Sequence, residues 1–110
     1  MVNYWIFEEG FGGVKGYTCS KCRTFIYVHE FKICQCNKEL LLKYLKNPAL
    51  QDLTVVRMSL KDLEKNNYQS VISRLIVDGD KIRSTDQKLY NYINRIFQDM
   101  LKSKNDHQTS

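Results

Sequence analysis

The sequence predicts an α+β fold: a small antiparallel β subdomain over residues 1–36, followed by about three α-helices over 37–103. Three observations lead there. The first 36 residues hold four of the five glycines and most of the aromatic side chains, from Tyr4 and Trp5 to Phe31, a composition of strands and turns. From Asn37 onward apolar residues recur at helical spacing instead. All four cysteines lie between Cys19 and Cys36, at the end of the β part. At 110 residues the two parts should pack as one structural domain, with 104–110 as a disordered tail that has no apolar residue to bury.

Taken in order, "NYWIF" reads as a strand and "GFGGVKG" as a glycine-rich turn or loop. "RTFIYVHEFKI" is β-branched and aromatic, and predicts a strand, a turn and a returning strand. Asn37 is placed to cap "KELLLKYLK", which must stop near Asn47 because Pro48 follows. Leu40, Leu41, Leu42, Tyr44 and Leu45 cover most of that helix's circumference, so it should be well buried. "LTVVRM" fits a short strand or an extended connector. Ser59 with Asp62 resembles a capping box, and Met58 with Leu63 a hydrophobic staple, opening a helix that aligns Leu60, Leu63, Val71, Ile72, Leu75 and Ile76. "DGD" at 78–80 stops it, or else turns a hairpin between "LIV" and "KIR". Ser84 with Gln87 forms a second capping box, followed by the stripe Leu89, Tyr90, Ile93, Ile96, Phe97, Met100 and Leu101.

Composition narrows the function classes. No segment approaches the roughly 20 apolar residues of a membrane span. "MVNYWIFEEG" lacks the basic start and unbroken apolar run of a secretory signal, which points to the cytosol and reduced thiols. The net charge of +5 is spread along the chain: four Lys/Arg against three Asp/Glu in 1–36, four against two in 37–58, and nine against seven in 59–110. No block is strongly basic, although folding can gather such charges on one face.

The cysteines follow the pattern C-x2-C-x11-C-x-C. A C-x2-C turn aims two sulfurs at one point, and eleven residues are enough to bring a second pair back, so a structural Zn2+ held by Cys19, Cys22, Cys34 and Cys36 is the expectation. In a flat strand Cys34 and Cys36 would meet one metal only if the backbone turned at Gln35, and otherwise His29 could replace one of them. Three other readings compete. A C-x-x-C redox pair would leave Cys34 and Cys36 unexplained, the usual iron–sulfur spacings differ, and disulfides need an oxidising compartment.

At these residues the chain resembles the zinc-ribbon group, in which two cysteine knuckles clasp one metal. It is also similar to small phage-encoded proteins that open with an aromatic-Trp-Ile stretch, here "YWI", followed by "CSKC"; "CQC" stands where that group carries C-P-x-C-G. The resemblance covers the first third of the chain. It implies a viral or mobile-element accessory factor in the host cytosol, a protein that inhibits or redirects a nuclease, a polymerase or a defence complex.

No enzyme is expected. The histidines are His29 and His107, no metalloprotease, nucleophile-elbow or Walker motif is present, and four cysteines would close a metal site to substrate. A protein partner is the first expectation, with no small-molecule substrate and no membrane. The alternative is direct DNA or RNA binding, in which exposed rings stack on bases and cations meet phosphates. The candidates for either surface are Lys15, Lys21, Arg23, Tyr27, Lys32, Lys88 and Arg95. At least half of Trp5, Phe7, Phe25 and Tyr27 are expected to be core instead. A base-reading helix over "KIRSTDQKLYNYINRIF" is disfavoured by Asp78, Asp80 and Asp86 at its start.

Overall fold

The computed structural model describes residues 5–9 and 15–109. Three antiparallel strands, β1 (Trp5–Glu9), β2 (Lys15–Cys19) and β3 (Phe25–Tyr27), form a meander in the order β1-β2-β3. Five helices follow: α1 (Gln35–Leu45), α2 (Thr54–Glu64), α3 (Tyr68–Asp78), the single turn α4 (Asp80–Arg83) and the long α5 (Gln87–Thr109). The α+β expectation holds. Of the glycine-rich stretch, Lys15 and Gly16 belong to β2 and the rest lies outside the described residues. The helical backbone of α5 runs on to Thr109, through most of the segment expected to be a tail.

Strand parity decides what the sheet buries. Tyr17, Cys19 and Ile26 point inward and are buried, whereas Ile6, Phe25 and Tyr27 point outward. Phe25 and Tyr27 are therefore not core, at 36% and 40% exposure. Among the described side chains the core aromatics of this part are Tyr17 and Phe31; Trp5 and Phe7, also expected as core candidates, lie outside them. The Tyr17 hydroxyl donates to the Ile96 carbonyl at 3.1 Å, which pins the inner face of the sheet to α5.

Several expected boundaries move. No strand returns after β3; a 3-10 turn over Val28–Glu30 leads to Phe31, in left-handed backbone at φ 54°, and then to α1. The N-cap of α1 is Cys34 rather than Asn37, and the helix stops at Leu45 before Pro48 as expected. Leu41 and Leu45 are fully buried, while Leu40, Leu42 and Tyr44 pack partly against the core.

"LTVVRM" is neither strand nor connector. It begins α2, because Val55, Val56, Ser59 and Leu63 bury one helical face against the core. Ser59 is thus a buried mid-helix residue and not a cap. The single helix expected across 59–77 breaks at Asn66, whose φ of 58° ends α2 and lets α3 turn back on it. The Arg74–Asp62 ion pair then ties the two together.

At "DGD" the chain makes neither a left-handed stop nor a hairpin. Gly79 stays right-handed at φ −59° and leads directly into α4. Asp86, not Ser84, caps α5, its Oδ1 accepting from the Leu89 N–H at 3.0 Å. The α5 stripe buries Leu89, Ile93, Ile96, Phe97 and Met100 as expected, with Tyr92 buried in place of Tyr90, while Leu101 lies outside the described side chains. Among the described residues no helix is long and apolar enough to cross a membrane.

Candidate metal centre

The turn after β2 is built by backbone hydrogen bonds. The Arg23 N–H donates to the Cys19 carbonyl at 2.8 Å, and the Cys19 N–H to the Thr24 carbonyl at 2.9 Å. Closing so tight a turn puts Arg23 in left-handed backbone, φ 64°. The same turn aims two N–H groups, those of Lys21 and Cys22, at the Cys19 sulfur, each at 3.4 Å. Both leave the sulfur acting as an acceptor, the role a metal ligand plays.

The second pair of cysteines comes from a helix start, not from a strand. Cys34 is the N-cap of α1, with Gln35 and Cys36 in its first turn. Cys34 itself is in extended backbone, φ −75° and ψ 169°, and the chain turns into the helix at Gln35, which supplies the turn between the two cysteines. The Cys34 Sγ accepts from the Asn37 backbone N–H at 3.4 Å and from Asn37 Nδ2 at 3.2 Å. The helix N-terminus adds its own preference for negative charge.

The two halves meet. The Sγ atoms of Cys19, Cys22 and Cys34 lie within 4.8 Å of one another, and among the described residues this is the group whose donors could hold a metal ion. Cys36, half-buried, faces the same cluster: partial burial first, and then the Cys22 and Cys19 sulfurs, push its thiol up to about 12. Burial likewise raises Cys34, against the pull of the Asn37 donors. The exposed Cys22 goes the other way, held down to about 6 by the Thr24 hydroxyl, 3.1 Å from its sulfur, and by the Thr24 backbone. Tyr68, which opens α3, is raised by burial and by charge on the neighbouring Cys34. Sulfurs so close cannot all be charged without a cation among them.

The other sequence candidates fall around this centre. His29 lies outside the cysteine group; its ring stacks on Tyr27, centroids 5.5 Å apart, and Phe25 meets Tyr27 edge-on at 4.9 Å. Lys21 and Arg23 are exposed on the Cys19–Cys22 turn, and Lys32 is exposed on the link to α1. Lys15 opens β2 with the parity of Tyr17 and Cys19, so it does not share the face of Tyr27. Lys88 and Arg95 are exposed on α5.

Sequence reasoning missed three residues of the site: Thr24, Asn37 as a sulfur donor, and Tyr92, whose hydroxyl donates to Asn37 Oδ1 at 2.7 Å. The position of Asn37, directly after "CQC", was the one available signal.

Comparison with known proteins returns no match at any of three levels, whether family models, curated proteins or solved structures.

Proposed function

We propose that this chain is a zinc-stabilised binding module without enzymatic activity, an accessory factor that docks on a protein of a nucleic-acid-processing complex and modulates it. The observation that carries this reading is an exposed row of rings, Phe25 and Tyr27 on the outer face of β3 and His29 in the turn after it, on a sheet that ends at the cysteine cluster.

Zinc suits the donors. Four thiolates at ~2.3 Å in a tetrahedron put sulfurs about 3.8 Å apart, compatible with the mutual limit of 4.8 Å for Cys19, Cys22 and Cys34. Cys36 supplies the fourth ligand. A site filled by four protein sulfurs leaves no position for water or substrate, so the metal's work is structural. Binding then contributes folding free energy directly to a sheet of three short strands.

The ring row has the composition of a protein-docking surface, with Ile6 exposed on the same face of the sheet, across Thr18 from Phe25. Charges of both signs lie near it, Arg23 and Lys32 at the ends of the segment and Glu30 bonded to the Tyr27 N–H, as fits a protein better than a polyanion. The viral setting, the host cytosol and the choice of nuclease, polymerase or defence complex rest on the resemblance carried by "YWI" and "CSKC". The test is capture from nuclease-treated host lysate by the full-length chain and by Tyr27→Ala. A specific protein retained by the wild type and lost from the variant supports the reading. No retained protein, or one indifferent to Tyr27, contradicts it.

The second reading, direct binding of single-stranded nucleic acid, draws on the same rings, since bases stack on exposed aromatics with little regard to sequence. It requires an oligonucleotide shift by the protein alone that weakens steeply as salt rises. No shift at low salt removes it.

A further inference from the structure

A buried chain of hydrogen bonds leads from the cysteine cluster to α5. Asn37 is 0% exposed, and its two amide ends are both used: Nδ2 donates to Cys34 Sγ at 3.2 Å, and Oδ1 accepts from the Tyr92 hydroxyl at 2.7 Å. Tyr92, 6% exposed, comes from α5, 55 residues further along the chain.

The polarity of this chain matters. A side-chain amide has one accepting and one donating end, and a half-turn exchanges them. With the Tyr92 proton on Oδ1, the NH2 group must face the sulfur. A sulfur bound to a metal has no proton and can only accept, so this is the orientation a metal ligand needs. Without the phenol, Asn37 would be free to turn its oxygen toward Cys34, lone pair against sulfur. A second tether reaches the other half of the cluster, because Tyr17, two residues before Cys19, donates to Ile96 on the same helix. The helix α5 thus holds both halves of the site.

Resting on the metal reading above, we propose that Tyr92 is a positioning residue for the metal centre: through Asn37 it orients an N–H donor onto the Cys34 sulfur, and so couples metal binding to the seating of α5. Outer-shell partners of this kind typically change metal affinity by about 10- to 100-fold when removed. By reciprocity, whatever α5 gives the metal, the metal returns to the docking of α5.

The test uses the full-length chain. Zinc affinity is measured by chelator competition for the wild type, Tyr92→Phe, Asn37→Asp and Tyr44→Phe, together with the cobalt(II)-substituted absorption spectrum. The Tyr44 and Tyr92 ring centroids lie 5.8 Å apart, but Tyr44 stands outside the hydrogen-bond chain and is the control. Tyr92→Phe should bind zinc about 10-fold or more weakly and shift the sulfur-to-cobalt charge-transfer band. Asn37→Asp, which can still accept from Tyr92 but cannot donate to sulfur, should lose at least as much. Tyr44→Phe should match the wild type. Wild-type affinity and an unmoved cobalt band in both site variants would overturn the proposal and leave the metal reading standing. A wild-type protein that binds no metal would overturn both. A purely structural role for Tyr92 would lower thermal stability with and without metal alike and leave affinity and band unchanged, which also refutes the proposal.

Discussion

Arg23 and Phe31 share a backbone state and differ in everything else, so glycine at each should have opposite effects. Both lie in the left-handed region, at φ 64° and φ 54°. A left-handed L-residue costs about 1–2 kcal/mol, which glycine relieves. Glycine returns about 0.5–1 kcal/mol of that through its greater freedom in the unfolded chain. Arg23 is exposed on the Cys19–Cys22 turn and loses no packing, so Arg23→Gly should stabilise by about 0.5–1 kcal/mol, a rise of roughly 2–5 °C in Tm for a domain of this size. Phe31 is 7% exposed and belongs to the core. Removing its ring costs about 3–5 kcal/mol on the scale of phenylalanine truncations, so Phe31→Gly should destabilise by about 2–4 kcal/mol net. Urea unfolding of the metal-loaded full-length protein reads both, with the slope checked for constancy. The reasoning is refuted if Arg23→Gly unfolds at or below the wild-type midpoint, or if Phe31→Gly is as stable as the wild type.

Ser59 is fully buried in α2 with a hydroxyl that finds no partner among the described residues, so Ser59→Ala should raise stability by about 1 kcal/mol, seen as a higher denaturant midpoint. At Gly16, an added Cβ would come within 2.7 Å of the Ile26 carbonyl and 2.8 Å of Phe25 Cε1. The exposed Phe25 ring can swing aside but the β3 backbone cannot, so Gly16→Ala should cost about 1–3 kcal/mol; unaltered thermal stability would contradict this packing. Metal affinity should fall with pH. Cys34 and Cys36 have raised thiols and must each release a proton to bind, so affinity should drop by about 100-fold or more for each unit that pH falls on the acid side of neutrality. The fall should steepen below about pH 6, where Cys22 must release one as well; chelator competition across pH 5.5 to 8 checks the slope, and a flat profile would be wrong for this site.

What the sequence disclosed, it disclosed through strong local signals. Pro48 ended α1, and the tight i, i+3, i+4 stripe of α5 could not be read as anything but a helix. The start of α2 was hidden because its N-cap, Leu53, offers no side-chain hydrogen bond, while the Val55–Val56 pair looks like strand and Ser59–Asp62 imitates a cap. Burial of those valines overrode their local preference. The spacing of the cysteines pointed to convergence, but not to its geometry, since a cysteine is an unusual N-cap and Asn37 is a far more familiar one. Composition put at least half of Trp5, Phe7, Phe25 and Tyr27 in the core without saying which. Which of Phe25, Ile26 and Tyr27 turns inward depends on register with β2, and that is a long-range fact. The Tyr92–Asn37–Cys34 chain is longer-range still, joining residues 55 positions apart.

The central claim is that the four cysteines clasp one structural zinc, and metal content tests it most directly. Full-length protein purified under reductant, and its Cys19→Ser and Cys34→Ser variants, would be measured by elemental analysis and native mass spectrometry. The proposed function predicts one zinc per wild-type chain and its loss from both variants, with the β part losing order first. Wild-type protein with four reduced thiols and no metal, or variants that keep a full equivalent, would contradict it.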